Sequence, residues 1–198
     1  MKQKIKSFLL KKLHATERSR FDIIEAVATR GVREFVSLDY DSLKSELLQY
    51  VGSMQVDGYA YKYAASRTSP CLYASVYAVM IEGLLGVLKN RSAEDLKSWA
   101  DYINSFQSPD DGLYYDPVLE SPAFNHIGDW NEGWGKHHLM GHIIIALARL
   151  GHTPRYSLRY LEPYYDNNRL EQWLSQFSLT SDVWTESNYI MNLYTVLQ

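Results

Sequence analysis

Residues 99–151 read WADYINSFQSPDDGLYYDPVLESPAFNHIGDWNEGWGKHHLMGHIIIALARLG, and this stretch decides the fold. A helix end, an Asp-Gly turn, a long polar and aromatic loop and a strongly apolar second helix follow one another. Its first half is echoed on both sides, by LQYVGSMQVDGY at residues 48–59 and EQWLSQFSLTSDVW at residues 171–184. Aligned on Met54, Phe106 and Phe177, the copies share an apolar helix tail, a Gln or Ser after it, then an Asp and an aromatic. Gln55 and Gln107 stand 52 residues apart, Phe106 and Phe177 71 apart. A helix pair cannot bury its apolar face alone, so such repeats stack on one another.

The totals suit one domain with a core of its own. The chain has 198 residues, 46% hydrophobic and 22% charged, with a net charge of -3, which is ordinary for a soluble globular protein. That balance lacks the basic footprint of a nucleic-acid binder, and no nucleic-acid motif is present. Charge is uneven: residues 1–20 carry Lys2, Lys4, Lys6, Lys11, Lys12, Arg18 and Arg20 against Glu17, a net +6, which leaves -9 for the remainder. The single cysteine, Cys71, excludes an internal disulfide and fits a reducing compartment. Phe8-Leu9-Leu10 is too short for a signal-peptide core, and no run approaches the ~18 apolar residues of a membrane span. A cytoplasmic location is expected. Ile5, Phe8, Leu9 and Leu13 at helical spacing among lysines make an amphipathic N-terminal helix. It either packs on its own domain or makes a weak membrane or partner contact.

Helical periodicity continues along the chain. Residues 1–40 form N-terminal helices, the second at 21–38, and residues 41–198 form the repeat region. Asp41 or Ser42 is expected to cap a helix that stops at Gly52, with Asp57-Gly58 making the turn. Ser69-Pro70 offers a capping hydroxyl and a proline at the first helical position, opening a helix to about residue 89 with Leu84 inward. Ser92 begins a capping-box-like pattern ahead of Leu96, Trp99 and Ile103. Gly151 follows a helix end, Asn167 or Asn168 caps a short helix, and residues 185–198 start another that stops uncapped. This uncapped end suggests either a continuation beyond residue 198 or a terminal helix whose end frays. No stretch alternates long enough to demand a strand; residues 58–63 come nearest.

Ser105-Phe106-Gln107-x-x-Asp110-Asp111-Gly112-Leu113-Tyr114 resembles the helix-end and turn motif of the prenyltransferase and squalene-cyclase-like α/α-toroid repeats. Ser53-Met54-Gln55-Val56-Asp57-Gly58-Tyr59 is similar to a second copy, and residues 138–151, ending Ala148-Arg149-Leu150-Gly151, to the inner helix that follows. The resemblance covers roughly residues 43–198. It implies an all-α fold of α/α-hairpin repeats forming part or all of a toroid. Folds of this kind host terpene cyclases, protein prenyltransferases, thioester proteins and sugar-active enzymes, so activity does not carry over with fold. The aspartate-rich DxDD acid, the prenyltransferase Asp/Cys/His zinc set and the thioester Cys-Gly-Glu-Gln are all missing from this sequence.

Chemistry is densest at residues 126–142. His126, Asp129, Trp130, Asn131, Glu132, Trp134, Lys136, His137, His138 and His142 fall together there. On a helix from Trp134, Leu139, Ile143, Ala146, Leu147 and Leu150 form the buried stripe, while His138, His142 and Arg149 share another face. Asp129 or Glu132 with His138 or His142 makes a candidate acid–base set, because imidazole titrates near neutrality. Histidines at i and i+4 also suit a metal, but no third ligand is fixed by spacing, so no metal or cofactor is expected. The bland alternative is that these histidines bond loop backbone around a wet cavity. Asp110-Asp111 and Asp116-Pro117 read as turn chemistry, Gly83 and Gly86 as close helix contact, and Cys71 as core.

Tyr59, Tyr61, Tyr63, Tyr114, Tyr115, Phe124, Trp130, Trp134, Trp184 and Tyr189 fall in or after the turns. In a toroid the turns gather at the mouth of a concavity. Flat aromatic faces beside polar groups suit sugar rings; wedging repeats together accounts for part of the set equally well. The expected ligand contacts are Tyr114, Tyr115, His126, Trp130, Trp134, Trp184 and Asn188. The leading expectation is a domain that binds a carbohydrate-like ligand in an aromatic-lined concavity, as a hydrolase or lyase if catalytic. Isoprenoid chemistry and a non-catalytic protein-interaction module are the alternatives.

Overall fold

The computed structural model describes residues 39–120, 134–180 and 182–197; the helices expected within 1–38 lie outside them. Among the described residues the chain forms six α-helices, two short 3-10 turns and one tiny hairpin. The repeats come as three helix-turn-helix units. In the first, helix α1 (Tyr40–Met54) leads through strands β1 (Gln55–Asp57) and β2 (Ala60–Tyr61) to α2 (Leu72–Leu84). The second joins α3 (Ala93–Asn104) to α4 (Trp134–Leu150), and the third α5 (Asn167–Ser175) to α6 (Val183–Val196).

The echo seen in sequence has one physical cause in two of the turns. Gln55 pairs with Tyr61 across the antiparallel β1–β2 ladder, and Gln107 makes an isolated bridge with Tyr114. Each glutamine also closes its own turn: the Gln55 amide donates to the Gly58 carbonyl, and that of Gln107 to Gly112 at 3.0 Å. The second turn is wedged tight. Gln107 also exchanges bonds with the Tyr156 backbone, at 2.9 and 2.8 Å. Gly112 sits at φ +79, where a Cβ would lie 2.2 Å from the Ser157 carbonyl, so only glycine fits.

Several helix starts differ from expectation, and in each case an aspartate does the capping. A carboxylate placed just before the helix accepts free N–H groups and complements the positive helix end. Asp39, rather than Asp41 or Ser42, accepts from Ser42 N at 3.1 Å, and α1 runs past Gly52 to Met54. Asp166, rather than Asn167 or Asn168, accepts from Asn168 and Arg169. Asp182 opens α6 at Thr185 N. Ser69-Pro70 does not start α2; Pro70 bridges Lys62 in extended backbone, and the buried Asp116 of the second unit accepts from Leu72 N at 2.6 Å instead. Ser92 caps α3 as expected. Helix α2 ends at Leu84, not near residue 89, and Leu84 is 75% exposed.

Helix α4 is the centre of the array. It packs against α2 on one flank and α6 on the other, and also against α3. Tyr73 meets His138 and Tyr77 meets His142, both pairs 65 residues apart. One turn forward on α2 is therefore one turn forward on α4, so the two helices run parallel. Close approach is aided at Gly83, whose Cβ would lie 3.0 Å from Arg149 Cδ. Leu139, Ile143, Ala146, Leu147 and Leu150 are buried as their spacing requires. They join Leu72, Val76, Val79, Trp99 and Ile103 in the main core, where each large aliphatic side chain contributes about 1.5–3 kcal/mol. A second cluster of Leu161, Leu170, Leu174, Ile190 and Leu193 holds the third unit.

Candidate functional site

Two polar clusters join α2 to its neighbours. The first lies near the start of α2. Tyr73 and Tyr77 are one turn apart there, as are His138 and His142 on α4, and all four are half-buried. The Tyr73 hydroxyl and His138 Nδ1 are hydrogen-bonded. Burial pushes the Tyr73 hydroxyl well above its ordinary range, so it keeps its proton and is able to donate. Burial, with His142 beside it, pushes His138 down to about 4. An imidazole that is neutral at pH 7 and accepts at Nδ1 carries its proton on Nε2. For His142 the roles reverse. Its Nδ1 lies 2.8 Å from the His138 carbonyl, which can only accept, so that nitrogen donates. Its Nε2 lies 3.3 Å from the Tyr77 hydroxyl. The two imidazoles stand 4.5 Å apart between centroids, and Tyr73 stacks on Tyr77 at 5.4 Å.

The start of α2 positions the tyrosines. Asp116 holds Leu72 N, one residue before Tyr73, and its second oxygen accepts from Val118 N at 2.9 Å. A loop of the second unit thereby fixes the start of α2 in the first. Asp116 entered the sequence reading only as turn chemistry. Tyr73 and Tyr77 were missed altogether, although their i, i+4 spacing mirrors that of the histidines.

The second cluster lies near the end of α2 and is ionic. Arg91 places Nε 2.7 Å and Nη2 2.8 Å from the Glu82 carboxylate, and Nη1 2.7 Å from Asp95. Its guanidinium lies 4.9 Å from the Trp99 ring centroid. Asp95 also accepts from the Tyr59 hydroxyl at 2.6 Å. Hydrogen bonds from Tyr59 and Arg91 hold Asp95 below the usual carboxylate range, and that to Glu82 raises Arg91 further. Every group here is committed to another.

The remaining expected contacts scatter. His126, Asp129, Trp130 and Glu132 lie outside the described residues, and of Trp134 the helical backbone alone is described. Tyr114 is 2% exposed and donates to Asn104 at 2.6 Å; its ring is core, not a platform. Tyr59 and Tyr61 stack on Trp99 at 5.5 and 5.8 Å. Tyr115 donates to Asp111 at 2.5 Å beneath the Lys136 ammonium, and burial together with Asp111 pushes it up to about 12. Asn188 is buried and donates to the Trp184 carbonyl within its own helix, which removes it from a binding surface. Trp184 is 76% exposed on α6. His137 stacks on Tyr160 at 5.2 Å, and burial lowers it.

Asp111 makes the turn by accepting from Leu113 N, and Cys71 is buried. Among the described residues no three His, Cys, Asp or Glu side chains converge on a metal position, and no helix is long and apolar enough to cross a membrane. The chain matches no protein-family model, no curated protein and no solved structure.

Proposed function

We propose that the chain forms part or all of an α/α-toroid, with α2, α4 and α6 as inner helices, and that it binds a neutral, polyhydroxylated, carbohydrate-like ligand at the Tyr73–Tyr77–His138–His142 cluster. The parallel packing of α2 on α4 and the turns closed by Gln55 and Gln107 support the repeat geometry. One observation carries the ligand class: two half-buried imidazoles, one turn apart on α4, sit against two tyrosine hydroxyls, one turn apart on α2. Such a set presents donors, acceptors and flat faces together, as a sugar ring requires.

Binding is favoured over proton transfer at His138. A general base works best with a pKa near the working pH, whereas His138 lies at about 4. Asp129 and Glu132, the carboxylates expected from the sequence, lie outside the described residues. An isoprenoid ligand is the second reading. Exposed Leu84 and Ile145 support it, because they fall at helical spacing from Tyr77 and His142 and give those faces an apolar continuation.

A thermal melt of the full chain against neutral tetrasaccharides and prenyl diphosphates, with and without Mg²⁺, tests the choice. A saccharide at ~100 times its dissociation constant adds about 2.7 kcal/mol, a shift of a few degrees. The His138→Phe variant is expected to lose that shift while melting near wild type. A shift with prenyl diphosphates alone, or with no ligand, overturns the carbohydrate reading.

A further inference from the structure

Beside the cluster runs a groove of about 120 Å³, lined by Tyr50, Met54, Lys62, Tyr63, Tyr77 and Ile81 among others. Tyr77 belongs to both groove and cluster. Tyr63 lies close enough to disfavour ionisation of Tyr73 and Tyr77 alike, so the two spaces adjoin. Tyr50 and Tyr63 turn large aromatic surfaces to solvent, 57% and 60% exposed. The volume falls below the ~300–1,000 Å³ that takes a drug-sized molecule, and is on the scale of a single ring.

Among the described residues Lys62 is the one charged side chain in that lining. Its backbone is fixed twice, by donation to the Met54 carbonyl at 2.8 Å and by the bridge to Pro70, so its stem starts from a rigid point. Among the other partly buried cations, Arg91 is paired with Glu82 and Asp95 and Lys136 with Glu120 and the Tyr115 ring, while Lys44, outside the groove lining, has no ion pair among the described residues. Among the described residues no carboxylate lies in ion-pair range of Lys62. A partly buried lysine in an aromatic-rich lining, with no carboxylate in ion-pair range among the described residues, favours an anion.

We propose that this groove is an anionic subsite that takes one uronic-acid-type sugar unit, with Tyr50 and Tyr63 against the ring and Lys62 on its carboxylate. The inference rests on the carbohydrate reading above and narrows it to acidic saccharides.

Titration calorimetry of the full chain with tetragalacturonate and with its fully methyl-esterified, uncharged form tests it. Wild type is expected to bind the acid form about tenfold more tightly, the scale of one charge-assisted hydrogen bond. Lys62→Met is expected to bring the acid form down to the affinity of the ester without weakening the ester, and Lys62→Arg to keep the preference. Equal affinity in wild type overturns the inference and leaves the carbohydrate reading standing. A preference that survives in Lys62→Met overturns it as well. Binding of neither form overturns both. Should Lys62→Met fail to fold, the two wild-type titrations still decide.

Discussion

The two ends of α2 solve one problem in opposite ways. Near its C-terminal end, Glu82 and Asp95 both meet Arg91 in a network of full charges. Near its start, Tyr73 and Tyr77 meet His138 and His142, hydroxyl to imidazole. Partly buried charges are tolerable only when paired and hydrogen-bonded, so the ionic cluster is closed and its groups cannot turn to a ligand. A neutral hydroxyl loses less when its partner changes, so the tyrosine–histidine cluster is the better candidate for exchanging contacts with a ligand. Polar density alone therefore does not mark a candidate site.

The largest effect should come from breaking the ionic end. Glu82→Ala leaves Arg91 without its bidentate partner beside Trp99 and should cost about 3 kcal/mol in urea unfolding, while saccharide affinity of the folded protein stays within about twofold of wild type. A large loss of affinity would mean that the two ends are not independent.

The neutral end should show itself through pH. His138 lies at about 4 in the folded chain against 6.5 when unfolded, so between those values the unfolded chain binds the proton and the folded chain does not. Stability should fall as pH drops from about 6.5 to 4 and level off below, by about 2 kcal/mol after allowance for partial exposure. His138→Phe should abolish that segment of the stability profile. Persistence of the full slope in the variant would place the titrating group elsewhere.

The smallest stability effect belongs to Tyr77→Phe. Its bond to His142 is long at 3.3 Å, so the melt should change by less than about 1 kcal/mol. Saccharide affinity should nevertheless fall several-fold by calorimetry, because the hydroxyl borders both cluster and groove. Unchanged affinity would remove Tyr77 from the site.

Some of this was readable from residue types. Ser92 capped α3 as its spacing indicated, and Gly151, at φ +77, follows α4. Gln55 and Gln107 aligned two turns that prove alike in their bonds. His138 and His142 were placed together because i, i+4 residues share a helical face whatever surrounds them. Tyr114 misled because its position after a turn says nothing about which way a bridged residue faces; pairing with Gln107 sends its ring into the core. Leu84 misled because apolar spacing does not show where a neighbouring helix ends.

What the sequence determined by itself was local and periodic: helix content, the repeating turn, the apolar stripe of α4 and the face its histidines share. These depend on backbone geometry and on residues within a few positions of one another. Tertiary structure decided the rest. Asp116 caps a helix 44 residues earlier in the chain, and Tyr73 and Tyr77 find their histidines through a register 65 residues long. Lys62 lies in the groove because of how α1 and α2 pack, and Asp95 joins a closed network for a similar reason. Such contacts are set by how whole helices dock, and docking minimises exposed apolar area over the entire core, a sum that no short stretch of sequence contains.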